Sequence, residues 1–272
     1  MEDRERRLEE AREGLEAEEF ERVVALLERS VRRGEADAEV SGLYGLALYY
    51  LGDEPAAAPH LDAALEEYPE DGEMQLARAL VDFHLLETEP AARRLRDLAA
   101  AEADLPEAHY WLGRVLDWWS EERPELRQEA QAALETAARL APEDYPLPVS
   151  FGEAEFQRSL EDAMENLPEP VMRAAHEVAI LIEPYPSREH LADAGGGLAP
   201  DLLGLYTGTP LPERSTWDSG RPPDLIHLFR RNLEFLARTP EELQEEIRVT
   251  LLHEVGHYLG MDEPDLERLG LE

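Results

Sequence analysis

Small and apolar residues recur along the first half of the chain in a frame that repeats. With Ala38 as the first position, small or turn residues fall at Gly45, Gly52, Ala57 and Ala64, with Leu61 and Pro69 at fixed offsets. Advanced by about 34 residues, the frame meets Ala79, Ala91, Leu95 and Leu98 from Gly72, then Leu112, Gly113 and Leu116 from Pro106. Five extra residues near 120–125 intervene, after which Ala130, Leu134, Ala137 and Pro142 resume the pattern. Moved back to Arg4, it meets Ala11, Phe20, Val23, Leu27 and Ser30 in a more charged setting, as a terminal capping unit requires. Small residues let two helices of a pair approach closely, large apolar ones fill the gap, and proline closes the second helix. The expectation is an all-α helical repeat domain over residues 1–142.

These residues resemble tetratricopeptide repeats, most clearly in Pro106-Glu107-Ala108-His109-Tyr110-Trp111-Leu112-Gly113. The resemblance covers roughly residues 4–142 and implies a concave groove that cradles a partner peptide, or else a scaffold packed on the next domain. Trp111, Trp118 and Trp119 suggest a ligand box, but aromatics at helical spacing are more often packing. His60, His84 and His109 lack a second ligand three or four residues away and read as ordinary helix residues.

Past residue 142 the pattern changes. Residues 143–150, rich in proline, read as a linker, and 151–272 as a second domain. Phe156, Leu160, Ala163, Met164 and Leu167 have amphipathic-helix spacing within 151–167, with Pro168 and Pro170 as the stop. Val178–Ile182 reads as a buried strand, and Leu202–Tyr206 and Leu225–Phe229 as two more. Ser187–Pro200, with Gly195-Gly196-Gly197, reads as a mobile loop. The last helix has Thr239 as N-cap, Pro240 at its first position and Glu242 to complete a capping box. It should run to about Leu259, where Gly260 can turn left-handed. Its stripe Leu243, Ile247, Leu251, Val255 and Leu259 must face a sheet. The domain is expected to be α+β.

That helix also carries His253-Glu254-Val255-Gly256-His257. Imidazoles four residues apart project from one side of a helix and can share a metal ion. Glu254 is placed to act as general base on a water that zinc makes acidic. A third ligand must come from the carboxylates beyond His257, which are Asp262, Glu263, Asp265, Glu267 and Glu272. Pro264 biases Glu263 toward an extended backbone. No histidine stands ten residues after His253, as a metzincin requires, and the chain after His257 is too short for a thermolysin-like second helix. His176-Glu177-Val178-Ala179-Ile180 is a near-match with isoleucine where the second histidine belongs, and reads as structural.

The C-terminal half is similar to the minimal zincin-like metallopeptidases of bacteria. The similarity runs through Leu203–Ser215, Pro223–Arg231 and Arg248–Glu263. It implies a compact zincin domain with an acidic third ligand ten residues after the first histidine, usually aspartate. Here Glu263 holds that position and Asp262 precedes it, so His253, His257 and Glu263 are the expected ligands, with Asp262 the alternative. Arg214, Tyr206 and His227 are candidates by residue type to stabilise charge at the reacting carbonyl.

Composition narrows the rest. With no cysteine, disulfides, thiolate metal sites and cysteine nucleophiles are excluded, and any metal must be held by histidine and carboxylate. The net charge is −36, from 62 acidic and 26 basic residues, all of the latter arginine. Such a surface should repel nucleic acid and anionic membranes. No apolar run is long enough to span a bilayer, and the charged start lacks a signal peptide's apolar stretch, so a cytoplasmic location is expected. The function expected is zinc-dependent peptide hydrolysis, with the repeats docking a substrate or protein partner. The alternative is a non-catalytic repeat adaptor whose zincin domain binds Zn2+ weakly.

Overall fold

The computed structural model describes residues 2–193, 199–214 and 223–268. The chain divides into two compact units, residues 1–146 and 147–272. No helix among the described residues is long and apolar enough to cross a membrane.

The first unit is an N-terminal all-α region of antiparallel helix pairs. These are α1 (Glu2–Glu16) with α2 (Phe20–Arg32), α3 (Ala38–Tyr50) with α4 (Glu54–Leu65), α5 (Gly72–His84) with α6 (Thr88–Ala101), and α7 (Pro106–Trp119) with α8 (Arg127–Leu140). The starts of α3, α5 and α7 lie 34 residues apart, and a short 3-10 turn at Pro124–Leu126 takes up extra length before α8. Local chemistry sets the starts. Asp37, Asp53 and Asp71 each accept a backbone N–H three residues on, relieving unpaired donors of the first turn. Close approach within a pair needs small residues. A Cβ on Gly45 would stand 3.0 Å from the Leu61 backbone nitrogen, and one on Gly113 would stand 3.1 Å from the Ala130 carbonyl oxygen.

Trp118 is buried and meets Phe83 edge to face across α5 and α7, so it is core. Trp111 and Trp119 instead lie under the guanidinium groups of Arg114 and Arg123. His84 pairs with Glu54 at 2.9 Å, and His109 contacts the Ala103 carbonyl at 3.0 Å.

The second unit is α+β. Its elements are α9 (Glu153–Glu165), α10 (Glu169–Ala175), β1 (Ala179–Glu183), α11 (Arg188–Asp193), β2 (Gly204–Thr207), β3 (Leu225–Phe229), α12 (Arg230–Leu236), α13 (Pro240–Tyr258) and α14 (Glu263–Glu267). The strands form one sheet in the order β1-β3-β2, with β1 parallel and β2 antiparallel to β3. Leu181 and Leu205 both pair with His227. Ile226 and Leu228, alternate residues of β3, join Leu243, Ile247, Leu251 and Val255 of α13 and Phe156 and Leu160 of α9 in one core. Alternation sends His227 and Phe229 to the other face.

A buried carboxylate anchors this core from behind. Glu234, wholly buried on α12, accepts from the Phe151 amide at 3.1 Å and from Arg230 and Arg231 at 3.0 and 2.5 Å. A carboxylate out of water is tolerable only when so paired. Asn232 donates to the carbonyls of Pro200 and Leu202, fixing the entry to β2.

Four expectations need correction. The strand β1, expected to be buried, is not: Leu181 is 42% exposed and Ile180 and Ile182 are only half-buried. Pro168 and Pro170 do not simply end a helix; they open α10, Pro168 as its N-cap. The loop expected over 187–200 begins as α11, where the Ser187 hydroxyl accepts the His190 amide at 3.1 Å. The triplet Gly195–Gly197 lies outside the described residues. Pro264 does not hold Glu263 extended. It occupies the first turn of α14, which begins at Glu263, and the extended residue is Asp262.

Candidate metal centres on the two faces of the sheet

The helix α13 starts at Thr239, whose hydroxyl accepts the Glu242 amide at 3.1 Å, while Glu242 accepts the Arg238 amide at 2.7 Å. It stops where Gly260 takes φ +87°, with Pro212 packed so closely that a side chain there would collide. Near this end the Nε2 atoms of His253 and His257 lie 3.0 Å apart. Two nitrogens bound to a tetrahedral zinc at about 2.0–2.1 Å stand slightly farther apart than that, so a small opening of the pair admits the ion. Nδ1 of His257 contacts the Met261 carbonyl at 3.2 Å. With the proton on Nδ1, the Nε2 lone pair is left for a metal, the usual outer support of a ligating imidazole.

Glu254 is 6% exposed. Its carboxylate is accommodated because β2 carries glycine where it crosses α13. A Cβ at Gly204 would lie 2.8 Å from Glu254 Oε1 and 2.7 Å from Thr250 Cγ2. Gly256, between the two histidines, leaves room for Leu266 of α14, which is fully buried. The segment after the Gly260 turn is thereby packed back against the histidine-bearing helix.

Among the two acidic ligand candidates, Asp262 caps α14, accepting the Asp265 amide at 3.0 Å, and is exposed. It does not meet the His257 Nδ1, which turns to Met261 instead. The side chain of Glu263 lies outside the described residues, and so does all of Glu272.

The proposed charge stabilisers separate. Tyr206 lies on the α13 side of the sheet and donates to Asp224 at 2.9 Å. Burial first, and this hydrogen bond second, push its phenol up to about 12. Arg214 pairs with Asp224 at 2.9 Å, donates to the Thr209 carbonyl at 3.0 Å and stacks 4.8 Å over the Tyr258 ring. Together they tie the loop before β3 and the strand β2 to the end of α13. His227 shares their suitability by residue type, but strand alternation places it on the opposite face from Glu254.

There it joins a second group that no sequence motif marks. His227, 4% exposed, contacts Glu183 Oε2 through Nδ1 at 2.6 Å and Thr207 Oγ1 through Nε2 at 3.4 Å. The His190 ring lies 4.4 Å from the His227 ring. One potential ligand atom each from Glu183, His190 and His227 falls within 4.8 Å of the others, so a Glu/His cluster capable of coordinating a metal ion is present. Sequence reasoning misses it because its members stand on β1, α11 and β3.

A family described as zincin-like metallopeptidase matches residues 175–271, so a domain of that family occupies the C-terminal part of the chain. No curated protein matches the chain.

Proposed function

We propose that the C-terminal unit is a zinc-dependent peptidase whose reaction is run from the α13 side of the sheet. The observation that carries this reading is the convergence of the His253 and His257 Nε2 atoms on the same helix that buries Glu254 between them in sequence. His253, His257 and Glu263 hold the metal, with Asp262 as the alternative to Glu263. Zinc held there supplies a Lewis acid that polarises the scissile carbonyl and makes water acidic near neutral pH. Glu254 accepts the proton of the attacking water and returns it to the leaving amine. Its burial under Gly204 keeps the carboxylate in one place between the two transfers. Tyr206, Asp224 and Arg214 are positioning residues that fix β2 against α13.

We further read the helix pairs of the first unit as tetratricopeptide repeats that dock a peptide substrate or protein partner, a reading supported by their 34-residue spacing. Tyr50, Glu73, Glu107 and Trp111 line adjoining depressions on these helices. Burial, then the charge of Glu73, raises the Glu107 carboxyl, and burial with Asp71 nearby raises Glu73.

The test is cleavage of a peptide library by the zinc-loaded full chain. Glu254→Gln should keep its zinc and lose turnover by at least the roughly 10^2–10^4-fold typical of general-base removal. Turnover by zinc-loaded Glu254→Gln would sink the assigned mechanism. Failure of the wild-type chain to take up zinc would favour the adaptor reading.

A further inference from the structure

The face of the sheet turned away from α13 carries the Glu183, His190 and His227 group, and nothing in the peptidase reading uses it. Glu183 stands at the end of β1, four residues ahead of the α11 cap Ser187, and His227 lies in the middle of β3. A charged residue and two imidazoles have been brought together from three elements, on a strand face where alternation alone would allow apolar side chains. A single 2.6 Å contact accounts for Glu183 and His227. A helix cap accounts for His190 Nδ1, which receives the Ser187 amide at 3.2 Å. Neither requires the His190 ring to lie 4.4 Å from that of His227.

We propose that Glu183, His190 and His227 form a second metal site, independent of the α13 pair, that takes zinc or a similar divalent transition metal and clasps β1, β3 and α11 together. Two imidazoles and one carboxylate are a ligand set that suits zinc, nickel or cobalt and not magnesium or calcium, which prefer all-oxygen shells. The Glu183 side chain is 34% exposed, so an ion can enter from solvent while His227 holds it from beneath. The ligand atoms, all within 4.8 Å of one another, need move little to meet bonds of about 2.0–2.2 Å. As the chain stands, the Ser187 amide at Nδ1 puts the proton of a neutral His190 ring on Nε2. Metal at Nε2 moves that proton to Nδ1, and metal at Nδ1 takes its lone pair, so either mode of uptake breaks the 3.2 Å contact.

The experiment is zinc titration of the metal-stripped full chain, with millimolar Mg2+ present to occupy the acidic surface. Zinc stoichiometry and thermal midpoint are the readouts. The wild-type chain should take two zinc ions. The variant His253→Ala/His257→Ala should still take one and melt at a higher temperature when zinc is added. Adding Glu183→Gln and His190→Asn to that variant should abolish both the uptake and the shift, while circular dichroism shows the fold retained. No uptake by the His253→Ala/His257→Ala variant overturns the proposal, as does uptake that survives all four substitutions. Failure of the peptidase reading looks different: one ion in the wild-type chain, kept in the His253→Ala/His257→Ala variant and lost with Glu183→Gln/His190→Asn.

Discussion

The pair His253 and His257 converges because one helix carries both, whereas Glu183, His190 and His227 converge only because β1, β3 and α11 each stand where the fold puts them. Four of the five histidines beyond residue 146 fall into these two groups, on opposite faces of a three-stranded sheet. The difference sets what each depends on. The helical pair survives any change that leaves α13 wound. The outer group depends on register, since a one-residue slip of β3 would turn His227 into the core and Ile226 or Leu228 out of it. A site made by one element is robust in itself and relies on its neighbours only for finish; a site made by three elements reports on the whole unit.

The largest effect is expected at the third ligand proposed for the helical pair. Glu263→Ala should weaken zinc at that site by well over roughly 100-fold, beyond the range of outer-shell losses. Asp262→Ala should stay near the roughly 10–100-fold typical of outer-shell support, because its carboxylate serves the α14 cap. Zinc affinities in the reverse order would make Asp262 the ligand. Next in size is Gly204→Ala, which thrusts a methyl group against Glu254 and Thr250. Overpacking of this kind costs about 1–3 kcal/mol. Chemical denaturation should show it, and hydrolysis should fall with it; an unchanged midpoint would mean that β2 yields easily over α13.

A smaller effect is expected at Tyr206. Its folded phenol titrates near 12 against about 10 in the unfolded chain. The unfolded state therefore loses its proton first, so this stabilisation is whole below about pH 10 and is lost as pH rises from about 10 to 12. Tyr206→Phe should remove that part of the pH slope and cost about 1 kcal/mol at neutral pH through the lost bond to Asp224. A slope unaltered in the variant would assign it elsewhere. The smallest change is expected on cutting the chain. Both groups lie within residues 147–272, so that fragment should melt cooperatively and bind as much zinc as the full chain. Insolubility, or zinc uptake that differs, would show that the repeats complete the second unit.

Legibility divides along the same line. The helical pair can be read from sequence because its geometry is local: an i, i+4 spacing, a threonine cap and a glycine stop determine where both rings point. The three strands are also readable, as short apolar runs bounded by turn residues, and the structure places them within two residues of the expected spans. Glu183 and His190 are not, because seven residues separate them and only strand pairing brings His227 to meet them. The short helices α10, α11, α12 and α14 escape for a different reason. Each is seven residues or fewer, too short for a periodic signal, and two carry a proline in the first turn, where the sequence suggests a break or an extended backbone. At Pro264 the restriction on the preceding residue gives way to the preference of proline for a helix's first turn.

The winding direction of α13 adds an electrostatic consequence. Its peptide dipoles sum to a partial negative charge at the C-terminal end, the end at which His253 and His257 stand. A divalent cation held there is attracted by the helix itself, by roughly 0.3–1 kcal/mol for each unit of charge where solvent reaches the site. Reversing the direction of the helix would keep the histidine spacing and forfeit this attraction.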